Sequence, residues 1–264
     1  ASMALSSTIF NVLGNISQKI GSIKSTNSLF KKYEQLEPAS LVEEAPEVKP
    51  STLIEVKDVS FNYGEKVILN HVSLGFDEGQ KYAITGESGT GKSTLLNSIA
   101  GFIEIEGSII WNGENIVIDG KSRLMPLISL LPQENKLFEG TALENICFSN
   151  YQYEEDKLIN AIDLSGLNKE FPTIDVIRNF KILEKGENLS GGQIQRLCLA
   201  RVIYDDCPII LLDEPTYALD KDTASDIIST INSIKKEKFV LISTHDTGVK
   251  QISDKEIYID RNSD

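Results

Sequence analysis

Residues 80–93 read Gln80-Lys-Tyr-Ala-Ile-Thr85-Gly86-Glu-Ser-Gly-Thr-Gly-Lys92-Ser93. A short apolar run ends in a glycine-rich loop, and Ser93–Ala100 continues with helix-forming residues. The loop fits G-x-x-x-x-G-K-[ST]. Glycines there let the backbone curl so that successive N–H groups face an anion. The helix beginning near Lys92 adds its positive dipole end. Lys92 can then reach the β- and γ-phosphates of a nucleotide, and the Ser93 hydroxyl can sit on Mg²⁺. A strand before the loop and a helix after it separate this reading from an ordinary glycine turn.

On both sides of the loop, strands alternate with helices. Leu53–Phe61 and Val67–Phe76 read as strands, the second broken by a turn. Ser108–Trp111 and Leu127–Leu131 are further strands, and Glu154–Ser165 has helical spacing. Pro208–Leu212 and Phe239–Ser243 are unbroken apolar runs, as in strands buried on both faces of a parallel sheet. Glu256–Asp260 reads as a last edge strand. The pattern predicts an α/β fold with ligands at the carboxyl ends of its strands.

Ile209-Ile-Leu-Leu-Asp213-Glu214 puts two carboxylates at the end of a buried strand. A buried strand gains nothing from adjacent charges, so the pair points to a metal and a water. Asp213 would hold Mg²⁺, and Glu214 would act as general base on the attacking water. Leu189-Ser190-Gly191-Gly192-Gln193 precedes a helix-like run to Val202. Ser190 and Gln193 match a capping box, which closes a helix start with no ligand. Two glycines in a first turn are a poor choice for a plain cap. They suit a close approach to the backbone, and a phosphate is the natural candidate.

Leu-Ser-Gly-Gly-Gln, downstream of Gly-x-x-x-x-Gly-Lys-Ser and just before Ile-Ile-Leu-Leu-Asp-Glu, resembles the ATP-binding domain of ABC transporters. Five specified residues match by chance about once in a million positions. The resemblance covers Leu53 to about Asp260. It implies a P-loop NTPase fold: a mainly parallel sheet, an antiparallel β subdomain and a helical subdomain at about 134–190. It also implies ATP and Mg²⁺ as ligands, with Gly86, Glu87, Ser88, Gly89, Thr90, Gly91, Lys92, Ser93 and Thr94 around the phosphates. Tyr63 matches an aromatic that stacks on adenine. Gln133 matches a glutamine that touches Mg²⁺ beside Ser93 and Asp213, and His245 a histidine that grips the γ-phosphate. Ser190, Gly191, Gly192 and Gln193 would contact the nucleotide of an opposite subunit, with Asp220 in the loop that crosses the dimer. Two ATPs would thus be sandwiched head to tail. His71 has no such context. Tyr217 stands where the family has a small residue, and Asp246 where exporters often carry Arg.

Leu137-Phe-Glu-Gly-Thr141 with Glu144-Asn-Ile146, and Glu184-Lys-Gly186 before Ser190, are similar to the exporter branch. This bears on residues 1–36. Leu5, Ile9, Val12, Ile16, Ile20, Ile23, Phe30 and Tyr33 form one apolar stripe on a long helix. Such a helix needs a partner. By itself it reads equally as a helix packed on its own domain or in a bundle, or as the cytosolic end of a membrane helix. The exporter resemblance favours the second. Residues 37–52, with three prolines and four glutamates, read as a linker. The ATP-binding domain then occupies 53–264. The chain reads as a piece excised from a half-transporter with a fused membrane domain, and Ala1-Ser2 as a cloning remnant. Its expected place is the cytoplasmic face of a membrane.

The 264 residues carry 26 Lys and Arg against 39 Asp and Glu, a net charge of −13. That acidity argues against a nucleic-acid partner, because phosphate backbones need clustered Lys and Arg. Residues 1–36 alone carry four lysines against one glutamate, which suits the cytoplasmic side of a membrane. Cys147, Cys198 and Cys207 form no C-x-x-C pair and read as reduced, buried small hydrophobes. No apolar run approaches the roughly 20 residues of a membrane span. The competing class is a soluble, non-transport ABC ATPase. Such proteins usually add a second ATP domain or a long coiled-coil insertion, and neither is present here.

Overall fold

The computed structural model describes residues 53–148, 153–234 and 237–260. All lie within the second of the chain's two compact units, Ala45–Asp264. The expectations for residues 1–36, and for the linker 37–52, fall outside the described residues.

Two sheets form the frame. The first is antiparallel, in the order β2-β1-β4-β5: β1 (Leu53–Tyr63), β2 (Lys66–Asp77), β4 (Glu106–Trp111) and β5 (Glu114–Asn115). The second is parallel, in the order β13-β3-β12-β11-β8: β3 (Lys81–Thr85), β8 (Ile128–Leu131), β11 (Ile209–Asp213), β12 (Phe239–Ser243) and β13 (Lys255–Tyr258). Two short ladders complete the strands: β6 (Val117–Ile118) with β7 (Lys121–Ser122), and β9 (Gly140–Thr141) with β10 (Lys181–Ile182). The helices are α1 (Lys92–Ala100), α2 (Ala142–Cys147), α3 (Glu155–Ser165), α4 (Ile174–Asn179), α5 (Gly191–Asp205), α6 (Lys221–Ser233) and α7 (Thr247–Ile252).

Period-2 alternation explains why the central strands read as unbroken apolar runs. Ile209 and Leu211 of β11, with Phe239 and Leu241 of β12, pack toward the antiparallel sheet and α1. Ile210, Leu212, Val240 and Ile242 pack the other way, in one core with Leu143 of α2, Leu158 of α3 and Leu199 of α5. Each strand feeds two cores, so neither face tolerates a polar side chain before the strand ends. The expected edge strand is β13, and it runs parallel to β3.

Two expectations need correction. β2 is not broken by a turn. The Asn70-His71 pair that interrupts its apolar pattern is absorbed by bulging. Asp58 and His71 take left-handed φ values of 55° and 50°, and the β1–β2 register shifts near them. The Asp58 N–H donates to Ser73 Oγ at 3.0 Å, and the His71 N–H to Ser60 Oγ at 2.9 Å. The cysteines are reduced, but only Cys198 is fully buried; Cys147 and Cys207 are half-buried.

Candidate functional site

Register builds the site. Asp213 pairs with Ser243, and Ser243 with Ile84, so β11, β12 and β3 end together. The next residues of each strand, Glu214, Thr244 and Gly86, therefore emerge side by side at the carboxyl edge of the sheet. Gly86 and Gly91 flank the loop at φ 147° and 99°. A Cβ on Gly86 would meet the Ile259 carbonyl at 2.3 Å, and one on Gly91 would meet Leu69 Cδ2 at 2.8 Å. These two glycines are thus demanded by the chain's own packing. α1 starts at Lys92 with no side-chain cap and no acidic residue in its first turn. Its leading N–H groups leave an uncompensated positive end.

Lys92 is 7% exposed. Its Nζ donates to the carbonyls of Gly86 and Glu87 at 3.0 Å each, and lies 3.0 Å from His245 Nε2. Burial pulls its pKa down, opposed by the negative charges of Glu214 and Asp213. Among the described residues no carboxylate comes within ion-pair distance of it. Asp213 is 8% exposed. One of its oxygens accepts from Ser93 Oγ at 3.0 Å and from Ser243 Oγ. It too has no cation within ion-pair distance among the described residues. A buried carboxylate beside a serine hydroxyl, facing a phosphate loop, is the hard-oxygen set that Mg²⁺ uses with substrate phosphates. The residues fit the ion.

Glu214 follows with a left-handed φ of 47°. Its N–H is held by the Ser243 carbonyl at 3.0 Å and Ser243 Oγ at 3.1 Å. One carboxylate oxygen accepts the His245 N–H at 3.3 Å, and the other lies 3.4 Å from His245 Nε2. Lys92, Ser93, Asp213, Glu214 and His245 thus form one bonded cluster.

Other expected residues lie elsewhere. Glu87, Ser88 and Gly89 are exposed at the loop tip, while Thr90 is buried and donates back to the Glu87 carbonyl at 3.0 Å. Thr94 is half-buried in α1. Gln133 is exposed two residues beyond β8, and Tyr63 is 79% exposed at the end of β1. Neither bonds to the cluster among the described residues. Ser190 and Gln193 do form the capping box of α5, with bonds of 3.2 and 2.9 Å. Gly192 has a reason within the chain, since a Cβ there would come 3.0 Å from Thr223 Cγ2; one on Gly191 would meet nothing within 4 Å among the described residues. Asp220 caps α6 through the N–H groups of Thr223 and Asp222 at 3.0 and 3.1 Å. Hydrogen bonds from Thr223 hold its carboxyl below the usual range. No bond joins Ser190–Gln193 to the Lys92 cluster among the described residues.

Two further residues belong to the site. Ser243 braces Asp213 and Glu214, and its one local signal is a polar residue closing an apolar strand. Asp246 caps α7 and accepts from Thr216 Oγ1 at 2.9 Å, tying the loop after Glu214 to the loop after His245.

A family model described as ABC transporter matches residues 69–217. The chain belongs to the ABC transporter family. It is 36% identical over 221 residues to a putative export ATP-binding/permease protein of Rickettsia bellii, covering 81% of this chain and 38% of that protein. It is 32% identical over 251 residues to a probable ABC transporter ATP-binding/permease protein of Haemophilus influenzae, covering 95% and 45%. The structure of a bacterial Atm1-family ABC exporter with ATP bound superposes with a TM-score of 0.73 at 28% identity, covering 83% of this chain and 39% of that one. The chain therefore spans less than half the length of these relatives. The parallel sheet, antiparallel sheet and helical region are those of an ABC ATP-binding domain.

Proposed function

We propose that this ABC domain binds and hydrolyses Mg-ATP as the motor of an exporter-type transporter, in a head-to-tail pair with a second such domain. The observation that carries this is the single cluster of a buried ammonium, a serine hydroxyl, two carboxylates and a histidine at one sheet edge. Lys92 and the amides of residues 86–94 hold the phosphates. Ser93 and Asp213 hold Mg²⁺, with Gln133 as a third ligand; when bound, the ion neutralises charge on the phosphate oxygens. Glu214 takes the proton of the attacking water, and His245 steadies the terminal phosphate. Tyr63 stacks on adenine. The Ser190–Gln193 segment and Asp220 serve the nucleotide of the other copy, in keeping with the open space over Gly191.

The relatives' export and permease names support a membrane-spanning partner domain and a place at the cytoplasmic face of a membrane. No described helix is long and apolar enough to cross a membrane. The first exporter-like stretch contributes β9 to the β9–β10 ladder and the second follows β10 directly, and Phe138, Phe148 and Leu183 expose apolar surface in these segments. Such a face suits a partner domain.

Titration calorimetry with Mg-ATP tests the nucleotide site. The parent chain binds, and Lys92→Ala does not, because the charge facing the phosphates is gone. Undiminished affinity in that variant would refute the assignment.

A further inference from the structure

Gln195 lies on α5, two residues beyond Gln193, and is 4% exposed. A buried primary amide needs partners for both its oxygen and its nitrogen. Gln195 finds them in two loops that are distant in sequence. Its Nε2 donates to the Pro215 carbonyl, next to Glu214. Its Oε1 accepts from Asn135 Nδ2, two residues beyond Gln133. A carbonyl can only accept, so Pro215 fixes which end of the Gln195 amide is which. That in turn fixes the Asn135 amide, whose Oδ1 is left buried and without a hydrogen-bond partner among the described residues. The neighbouring Arg196 turns to other partners, Glu170 at 2.7 Å and Asp226 at 3.0 Å, and anchors the helix. Gln195 is therefore presented from a fixed support.

We propose that Gln195 is a positioning residue for the nucleotide site: it holds the segment carrying Gln133 and the segment carrying Glu214 at a set separation. The assignment rests on the proposed roles of Gln133 as metal ligand and Glu214 as base. Gln195 acts through these two segments. It sets the distance between the two groups that flank them, from the helix whose first turn is Ser190–Gln193.

The experiment compares the parent chain with Gln195→Met, which keeps the length and loses both bonds, and with Asn135→Ala. ATP affinity stays within about twofold of the parent in both. The kcat for ATP hydrolysis falls roughly tenfold in each, and the double variant is no slower than the slower single one, because both cut the same link. A double variant whose losses multiply, or a Gln195→Met chain with the parent's kcat, overturns the proposal. A loss of affinity as large as the loss of kcat does so too, since it would mark general damage to the pocket. Hydrogen exchange on the ligand-free chain supplies a readout that needs no turnover. In Gln195→Met, residues 133–136 and 214–217 gain exchange together while α1 keeps its protection. If either segment exchanges as in the parent, the link does not exist. A parent chain that fails to hydrolyse ATP would instead count against the proposed function, and the exchange result would still decide the link.

Discussion

Glu214→Gln separates binding from chemistry. The carboxylate is held by the His245 N–H at 3.3 Å on one oxygen, with His245 Nε2 3.4 Å from the other. A glutamine has the same shape. Its remaining oxygen accepts the same N–H, and its amide nitrogen can donate to His245 Nε2. The Ser243 contacts to residue 214 come from its backbone and are untouched. Lys92, Ser93 and Asp213 keep their partners, so ATP and Mg²⁺ still bind. Of the two carboxylates that oppose the burial effect on Lys92, Glu214 acts on it more strongly. Removing it lowers repulsion toward an incoming triphosphate, and affinity holds or tightens. Turnover behaves differently, because an amide cannot accept the proton of the attacking water. A general base contributes about 10²–10⁴-fold, so the barrier rises by roughly 2.7–5.5 kcal/mol. With hydrolysis blocked, ATP accumulates between two copies. Gel filtration with Mg-ATP, beside a phosphate-release assay, shows the variant as an inactive dimer. Turnover near the parent's rate removes Glu214 as the base. An inactive variant that stays monomeric at saturating ATP refutes the head-to-tail pair.

Three other predictions probe separate links. Gly191→Ala meets no neighbour among the described residues and takes a better helix former, so its melting temperature holds or rises with a gain of up to about 1 kcal/mol; its ATP-driven dimerisation and turnover fall if another copy's nucleotide approaches there, and unchanged turnover would deny that approach. Tyr63→Ala removes an exposed ring, so stability is unchanged while ATP affinity drops by the roughly 1–3 kcal/mol of a base stacked on an aromatic; equal affinity by calorimetry would place adenine elsewhere. Burial pushes the Cys147 and Cys198 thiols up to about 11, so both stay protonated and resist iodoacetamide at pH 8, with alkylation rising only as pH nears 11; fast labelling of either at pH 8 in the folded chain would contradict the packing around it.

The central sheet was legible because β11 and β12 each feed two cores, which forces an unbroken apolar run that local reading detects. The phosphate loop was legible because its chemistry is local in sequence: glycines, lysine and serine stand within eight positions. What local reading could not supply is register. The bulges of β1 and β2 are held by hydroxyls 11 and 15 residues away, so the Asn70-His71 interruption looked like a turn. Ser243 reaches Asp213 from 30 residues away, and Gln195 reaches Asn135 from 60. Nothing near either residue in the chain announces its partner. The Ser190–Gln193 segment shows the converse. Its capping box was readable and formed, and that by itself speaks for no ligand.

Both glycines of that segment invite one explanation, yet they separate physically. Gly192 packs against Thr223 of α6, so its small size serves the fold; Gly191 faces open space among the described residues, which make no demand on it. The same distinction runs through the phosphate loop, where Gly86 and Gly91 are required by Ile259 and Leu69. A glycine in a functional motif is therefore not evidence of a ligand until the chain's own contacts have been subtracted. After that subtraction, what remains is Gly191 and the buried charges of Lys92 and Asp213, which have no ion pair among the described residues. They lie in two groups that no bond within the described residues connects. The proposed head-to-tail pair accounts for both remainders: in it, a second copy would bring the Gly191 of one against the Lys92 of the other.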